Sequence, residues 1–225
     1  MRALLRTRAL MAVAMLGTLA AGARLVRSTT AAPAATAVPF YDTRDFTPRW
    51  APVTHQVAPF TLVDQEKHIT TERDLDGKIH VASFLFAECP SVCPTLVTKL
   101  KPVQDAIRGN DGVLMVSYSV TPVQDTPDVL AAFGKARGID PATWKLLTGD
   151  LGEISRTIRE SYFADDTRLI DGTPESRILH TEKVLLVDRD RRLRGIYKGT
   201  DAFEMERLVE DIRALEKEPR RRQGL

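Results

Sequence analysis

The chain has 225 residues, of which 43% are hydrophobic and 28% are charged; this composition supports one folded domain with extensions and excludes global disorder. The first 23 residues hold three arginines and no acidic residue, while residues 24–225 carry 29 basic and 30 acidic side chains. Because nucleic-acid binding needs a concentrated basic face, this balance excludes a nucleic-acid partner.

Residues 1–23 have the pattern of an export segment. A basic start precedes an apolar run, Ala9–Ala23, that ends in small residues, as in a cleavable signal peptide. The run is shorter than the roughly 20 residues that span a bilayer comfortably, and an uncleaved membrane anchor is the second interpretation. A mitochondrial presequence is the third, because no acidic residue precedes Asp42. We therefore expect an exported protein.

Two aperiodic segments flank the rest of the chain. Residues 24–49 are rich in Ala, Pro and Thr, a composition that predicts a flexible tether. Residues 219–225 have no apolar face and predict a disordered tail. The folded domain is therefore expected over residues 50–218.

Within the domain, the hydrophobic pattern alternates between strand and helix periods. Strands are predicted over residues 56–64, 78–87, 112–120, 182–188 and 193–199. Helices are predicted over residues 94–109, 126–138, 151–162 and 201–218. The order β-β-α-β-α-α-β-β-α indicates an α/β sandwich whose central crossovers imply parallel strands.

Several residues mark where the helices begin and end. Thr126 is a predicted N-cap followed by Pro127, and Gly138 lies just past the end of the same helix. Asp201 has the spacing of a capping residue for the last helix. Pro102 is predicted to kink the first helix.

Both cysteines of the chain lie where a predicted strand meets a predicted helix, in the stretch FLFAECPSVCPTL, residues 84–96. Cys89 and Cys93 are each followed by a proline, which favours extended or turn-like backbone in both. Pro94 suits the first turn of the helix, and Cys93 is expected at or near its N-cap. There the free N–H groups and the helix dipole would favour a thiolate.

This pair of cysteines has three interpretations. A structural disulfide is common in exported proteins, but it would close a very short loop and stabilise little. The second interpretation is a redox pair. The third is a metal site. Two thiolates select Cu(I), whereas a structural zinc site normally has four protein ligands, so copper is favoured.

A third copper ligand would come from the four histidines. His80 lies in a buried-looking strand, where a core histidine is the simpler interpretation. His55 and His68 lie in a loop and a polar turn. His180 directly precedes a predicted strand, and its position alone indicates a surface-loop histidine.

Five motifs in fixed order resemble the SCO/SenC family: CPSVCP, VSYSVTPVQDTPDVL, WKLLTG, HTEKVLLVD and GIYKGTD. Members of that family are membrane-associated or periplasmic proteins of thioredoxin fold that bind copper and assist assembly of cytochrome c oxidase. The resemblance spans about residues 50–215. It implies a thioredoxin-like α/β sandwich with a central mixed sheet and flanking helices, and it implies that Cys89, Cys93 and His180 bind copper, as Cu(I) and also as Cu(II).

The resemblance further implies a function and a location. We expect a metallochaperone that is not an enzyme and that delivers copper to subunit II of cytochrome c oxidase or to other periplasmic copper proteins. It would act in the periplasm or from an inner-membrane anchor that faces the periplasm. The mitochondrial inner membrane is the alternative location.

A thiol–disulfide oxidoreductase that keeps the cysteines of a copper-site client reduced is the alternative function, because two thiols that bind Cu(I) can also reduce a disulfide. Thioredoxin-like oxidoreductases usually have two residues between their cysteines, whereas three separate Cys89 from Cys93. They also place a cis-proline where this chain has the segment LHTEKVLL. A peroxiredoxin-like enzyme that acts on peroxide is the least favoured function, because no activating arginine is evident near the cysteine loop.

Overall fold

A computed structural model describes residues 38–90, 92–164 and 182–219. The strands among these residues are β1 (Thr61–Asp64), β2 (Ile69–Thr71), β3 (Ile79–Leu85), β4 (Val113–Ser119), β5 (Trp144–Thr148), β6 (Lys183–Val187) and β7 (Leu193–Lys198). The α-helices are α1 (Val92–Ile107), α2 (Pro127–Ala136), α3 (Leu151–Arg156) and α4 (Ala202–Lys217). A 3₁₀ turn (Glu72–Leu75) precedes β3, and a π-helical turn (Thr157–Ser161) extends α3.

The strands form one mixed sheet in the order β2-β1-β5-β4-β3-β6-β7. Its centre is parallel: β4 pairs with β3 on one side and with β5 on the other. The flanking strands β1, β6 and β7 pair antiparallel to their neighbours. The predicted α/β sandwich with a central mixed sheet and flanking helices is therefore confirmed.

Alternate residues of each central strand face opposite sides of the sheet, as the pleat requires. Met115 of β4 lies in a cluster with residues of α1, α2 and α4. Its neighbours Leu114 and Val116 lie in a second cluster with residues of α3 and the π-helical turn. Both faces of β4 are covered, which explains why the sequence shows a continuous apolar run there.

The hydrophobic pattern does not predict β2 or β5. The second omission matters more, because β5 lies inside the sheet between β1 and β4. Its five residues, WKLLT, carry a lysine at the second position, which weakens the apolar pattern of so short a strand. In the fold, Lys145 forms an ion pair with the buried carboxylate of Asp64 on β1.

The predicted helix starts are confirmed for α2 and α4. Thr126 caps α2 through its side chain, which accepts a hydrogen bond from the Val129 N–H, and Pro127 is the first helical residue. Asp201 caps α4 by accepting from the Phe203 N–H. Helix α1 begins at Val92, two residues before its predicted start, and continues through Pro102.

Residues 38–49, which the sequence analysis includes in the tether, contact the domain. Val38 and Phe40 are buried, and Phe40 forms a β-bridge with Arg49. The buried guanidinium of Arg194 donates to the carbonyl oxygens of Val38 and Pro39, and also to the carboxylate of Glu218 at the end of α4. Arg194 thus holds both ends of the described chain together.

Four of the predictions from the sequence concern residues that the structure does not describe. The export segment 1–23, residues 24–37 of the tether, residues 220–225 and His180 all lie outside the described residues. Among the described residues, no helix is both long enough and apolar enough to cross a membrane.

Candidate metal centre

The two cysteines lie where β3 leads into α1. Cys89 stands in the connecting loop, four residues past the end of β3, and Cys93 is the second residue of α1. The backbone N–H of Cys93 donates to the Sγ of Cys89 over 3.4 Å. Neither cysteine forms a disulfide. The start of the helix therefore brings the two sulfurs to the same place without a covalent link.

Both thiols are buried, with 6% of Cys89 and 3% of Cys93 exposed. They belong to the apolar cluster beneath α1, against which Phe86, Ala87 and Val92 also pack. Burial raises the pKa of Cys93 to about 12, with a further rise from its hydrogen bond to Cys89. The metal-free pair therefore holds a protonated Cys93 at neutral pH.

The prediction that the helix N-terminus favours a Cys93 thiolate is wrong for the metal-free protein. The helix dipole contributes at most about 2 kcal/mol at a terminus. Loss of water around the sulfur is the largest cause of the raised pKa, and it outweighs the dipole because the thiolate needs that water more than the thiol does. A metal ion that binds both sulfurs must therefore displace protons.

Asp125 fixes the loop that carries Cys89. Its buried carboxylate accepts hydrogen bonds from the backbone N–H of Ala87 at 3.2 Å to each oxygen, from Ser119 Oγ at 2.6 Å and from Thr121 Oγ1 at 3.2 Å. No ion pair of Asp125 is present in the described part of the chain. The carboxylate thus ties the loop after β3 to the end of β4, and its charge adds to the raised pKa of Cys93.

Asp125 was not among the site residues predicted from the sequence. A signal was available: the residue follows β4 in a parallel sheet, at the same edge as the cysteine loop that follows β3. Functional residues gather at that edge in α/β sheets.

Replacement of Asp125 by alanine is expected to destabilise the metal-free, reduced protein by about 2–4 kcal/mol, because a buried N–H and two hydroxyls lose their acceptor. Copper affinity should also fall, by about tenfold, since the loop of Cys89 is no longer held. Urea unfolding and an anaerobic Cu(I) titration measure the two effects. Asp128→Ala is the matched control, because Asp128 is exposed and forms a surface ion pair with Lys67. Equal stability and copper affinity of the Asp125 and Asp128 variants would contradict the assignment.

The three described histidines lie away from the thiols. His80 is fully buried on the opposite face of the sheet, where its Nε2 lies 3.2 Å from the Tyr162 hydroxyl. The prediction of a core histidine is confirmed, although its Nδ1 has no hydrogen-bond partner among the described residues. His55 binds the Ser161 carbonyl oxygen and stacks on Phe163.

His68 is exposed and lies near Asp64 and Glu66, a group with the spacing of metal ligands. The arrangement has a structural explanation, because Asp64 already accepts from Lys145 and from the backbone N–H groups of Glu66 and His68. Neither cysteine belongs to this group.

A protein-family model described as SCO1/SenC matches residues 51–217. The SCO1 protein homolog of Bacillus subtilis is 25% identical over 166 residues, which are 72% of this chain and 84% of that protein.

Two solved structures share the fold. Bradyrhizobium japonicum ScoI, solved with copper bound, is 27% identical, with a TM-score of 0.56 over 71% of this chain and 99% of that one. BsSco, reported with a disulfide switch and as a member of the Sco family of cytochrome c oxidase assembly proteins, is 24% identical, with a TM-score of 0.63 over 74% of this chain and 96% of that one.

Proposed function

The chain belongs to the SCO1/SenC family, and from that premise we propose that it is an exported copper chaperone that delivers copper to cytochrome c oxidase. The observation that carries this proposal is the pair of buried, unlinked thiols of Cys89 and Cys93, held together by the first turn of α1. Two sulfurs form a soft donor set that suits Cu(I). The copper-bound ScoI of Bradyrhizobium japonicum supports the choice of metal.

His180 is the proposed third ligand. Strand β6 is antiparallel to β3, with Ala82 opposite Leu185, so β6 begins at the sheet edge where β3 ends. In the sequence, His180 stands three residues before β6. This topology supports the ligand set that the family resemblance implies. Cu(II) would depend more on the imidazole, because it is a harder ion than Cu(I).

The high proton affinity of Cys93 suits a protein that must release its cargo. Copper binding displaces the proton from the thiol, and reprotonation of the sulfur assists departure of the metal. The affinity for copper should therefore rise with pH. Delivery would proceed by replacement of one ligand at a time by sulfur or nitrogen donors of the client. We propose subunit II of cytochrome c oxidase as that client, with other periplasmic copper proteins as further candidates.

The proposed location follows from the amino-terminal pattern. The basic start and apolar run of residues 1–23 support export, with the domain either released into the periplasm or anchored at the inner membrane. Fractionation of cells that express the full chain separates the two cases.

Reduction of a client's disulfide is the second candidate function, because the two neighbouring reduced thiols could form a disulfide with each other. The burial and raised pKa of Cys93 argue for slow exchange, since the thiolate is the attacking species. The pair should therefore reduce disulfide substrates far more slowly than a thioredoxin.

An anaerobic titration of the reduced protein with Cu(I), in competition with Zn(II), tests the proposed function. We expect one Cu(I) per chain and no displacement by an equal concentration of zinc, since two sulfurs and one imidazole suit the softer ion. Oxidation of the thiols to a disulfide should abolish binding. Equal competition by zinc, or rapid catalytic reduction of a disulfide substrate, would favour a different function.

A further inference from the structure

Exposed apolar side chains are concentrated at one edge of the sheet. Strands β3, β4 and β5 are parallel and end there, and β7 ends there too, because it is antiparallel to β6 and β6 is antiparallel to β3. The segments that follow these four strands hold four of the six exposed large hydrophobic residues of the described chain. Val129 is the least exposed of the four, at 38%, and the other three are the most accessible to a partner. Val123 is 77% exposed, Leu151 51% and Phe203 65%. We call these three side chains the strand-end surface.

Hydrogen bonds link the loops that carry this surface. Thr148, at the end of β5, donates to the Pro122 carbonyl oxygen, which brings the loop of Val123 to the start of α3, where Leu151 lies. The bond from the Ala87 N–H to Asp125 joins the same loop to the cysteine loop.

On the other side of the cysteines, Gly199 precedes the helix that carries Phe203. Gly199 packs so closely against Leu96 of α1 that no side chain would fit in its place. The strand-end surface therefore flanks the cysteine loop on both sides.

The same edge carries an excess of negative charge. Residues 86–90, 120–129, 149–152 and 199–204 contain no lysine or arginine and six carboxylates: Glu88, Asp125, Asp128, Asp150, Asp201 and Glu204. At the opposite edge, residues 72–78, 108–112, 137–143 and 188–192 contain seven basic and seven acidic side chains.

Helix capping explains two of these acids, since Asp150 and Asp201 are N-caps. Two more form ion pairs with basic residues outside these segments: Asp128 with Lys67, and Glu204 with Arg207.

Lys183 and Lys198 also lie at this edge, where β6 begins and β7 ends, and Lys198 pairs with Glu182. Counted together, these groups are seven carboxylates and four basic side chains, so the edge keeps an excess of negative charge.

We propose that the strand-end surface is the docking site for a client protein whose copper-accepting site is bordered by an apolar patch and by lysine and arginine side chains. This rests on the proposed function. Apolar contact at the centre of an interface supplies affinity, while opposite charges at its rim speed association and fix orientation. A client held in this way would meet the cysteine loop directly, which ligand exchange requires.

The test measures the dissociation constant between the full chain, in its metal-free, reduced form, and a probe protein. The probe is the copper-free soluble domain of cytochrome c oxidase subunit II. Val123→Ser and Phe203→Ser should each raise the dissociation constant by about five- to tenfold, the loss that truncation of a central apolar contact produces. Raising the salt from 50 to 500 mM should weaken binding of the parent by at least about tenfold. Trp50→Ser is the matched control, because Trp50 is 62% exposed and lies away from this edge. It follows Arg49, which bridges to Phe40, and the adjacent Tyr41 pairs with Leu193 at the start of β7.

Absence of probe binding, insensitivity to salt, or equal effects of all three substitutions would overturn the docking proposal. So would a loss of Cu(I) affinity in Val123→Ser or Phe203→Ser, because these substitutions would then act through the metal site. Binding that follows the expected pattern without any transfer of Cu(I) to the probe would support docking and contradict the proposed function, so the two failures are distinguishable.

Discussion

Replacement of Cys93 by serine is expected to lower the affinity for Cu(I) by more than about a hundredfold. Substitution of groups that only orient a ligand already costs about 10–100-fold in metal affinity, and this change removes one of two proposed sulfur ligands. A serine hydroxyl stays protonated and is a hard donor that Cu(I) disfavours. The loss for Cys89→Ser should be of similar size, because the two sulfurs lie together at the start of α1.

Competition with a Cu(I) chelator under anaerobic conditions measures this loss. Thr95→Ala, an exposed change in the same turn of α1, is the control and should bind copper like the parent. Urea unfolding of the metal-free variants shows whether the fold is intact. An affinity within about threefold of the parent for both serine variants would mean that copper binds elsewhere.

Acidification is expected to destabilise the protein through His80. Complete burial lowers the pKa of this histidine from its usual 6.5 to about 3, with a smaller contribution from Arg191. The folded state therefore keeps the imidazole neutral, while the unfolded chain binds a proton below pH 6.5. Stability from this residue is complete above that pH and is lost as the pH falls towards 3, by about 1.4 kcal/mol per pH unit.

His80→Leu should remove this part of the pH dependence. Between pH 6 and pH 4 the parent should lose about 2.5 kcal/mol more unfolding free energy than the variant does. Leucine has a similar volume, and the Tyr162 hydroxyl keeps its hydrogen bond to Tyr118, so the variant should fold at neutral pH. His68→Leu is the control, because His68 is exposed. Equal pH dependence of the His80 variant and the parent would contradict this account.

Local sequence signals predicted the helix ends and most of the sheet. Thr126 with Pro127, and Asp201 before α4, are capping patterns that depend on a few neighbouring residues, and both predictions are confirmed. Strand β5 was missed because its environment comes from distant residues. Lys145 is acceptable inside the sheet because its ammonium group pairs with the carboxylate of Asp64, 81 residues away in the chain.

The site shows the same division between local and distant effects. The two cysteines and the helix that follows them were evident from the sequence, but the protonation of Cys93 was not, because it depends on burial by residues of the whole apolar cluster. Asp125 was missed because its hydrogen bond to Ala87 joins two loops 38 residues apart. The proposed role of His180 rests on the family resemblance and on the position of β6.

The most direct test of the central claim is X-ray absorption spectroscopy of the Cu(I)-loaded protein, with His180→Ala beside it. We predict two sulfur scatterers and one nitrogen scatterer around copper in the parent, and loss of the nitrogen with both sulfurs kept in the variant. A copper environment without two sulfurs, or an unchanged spectrum in His180→Ala, would contradict the assignment of Cys89, Cys93 and His180 as the copper ligands.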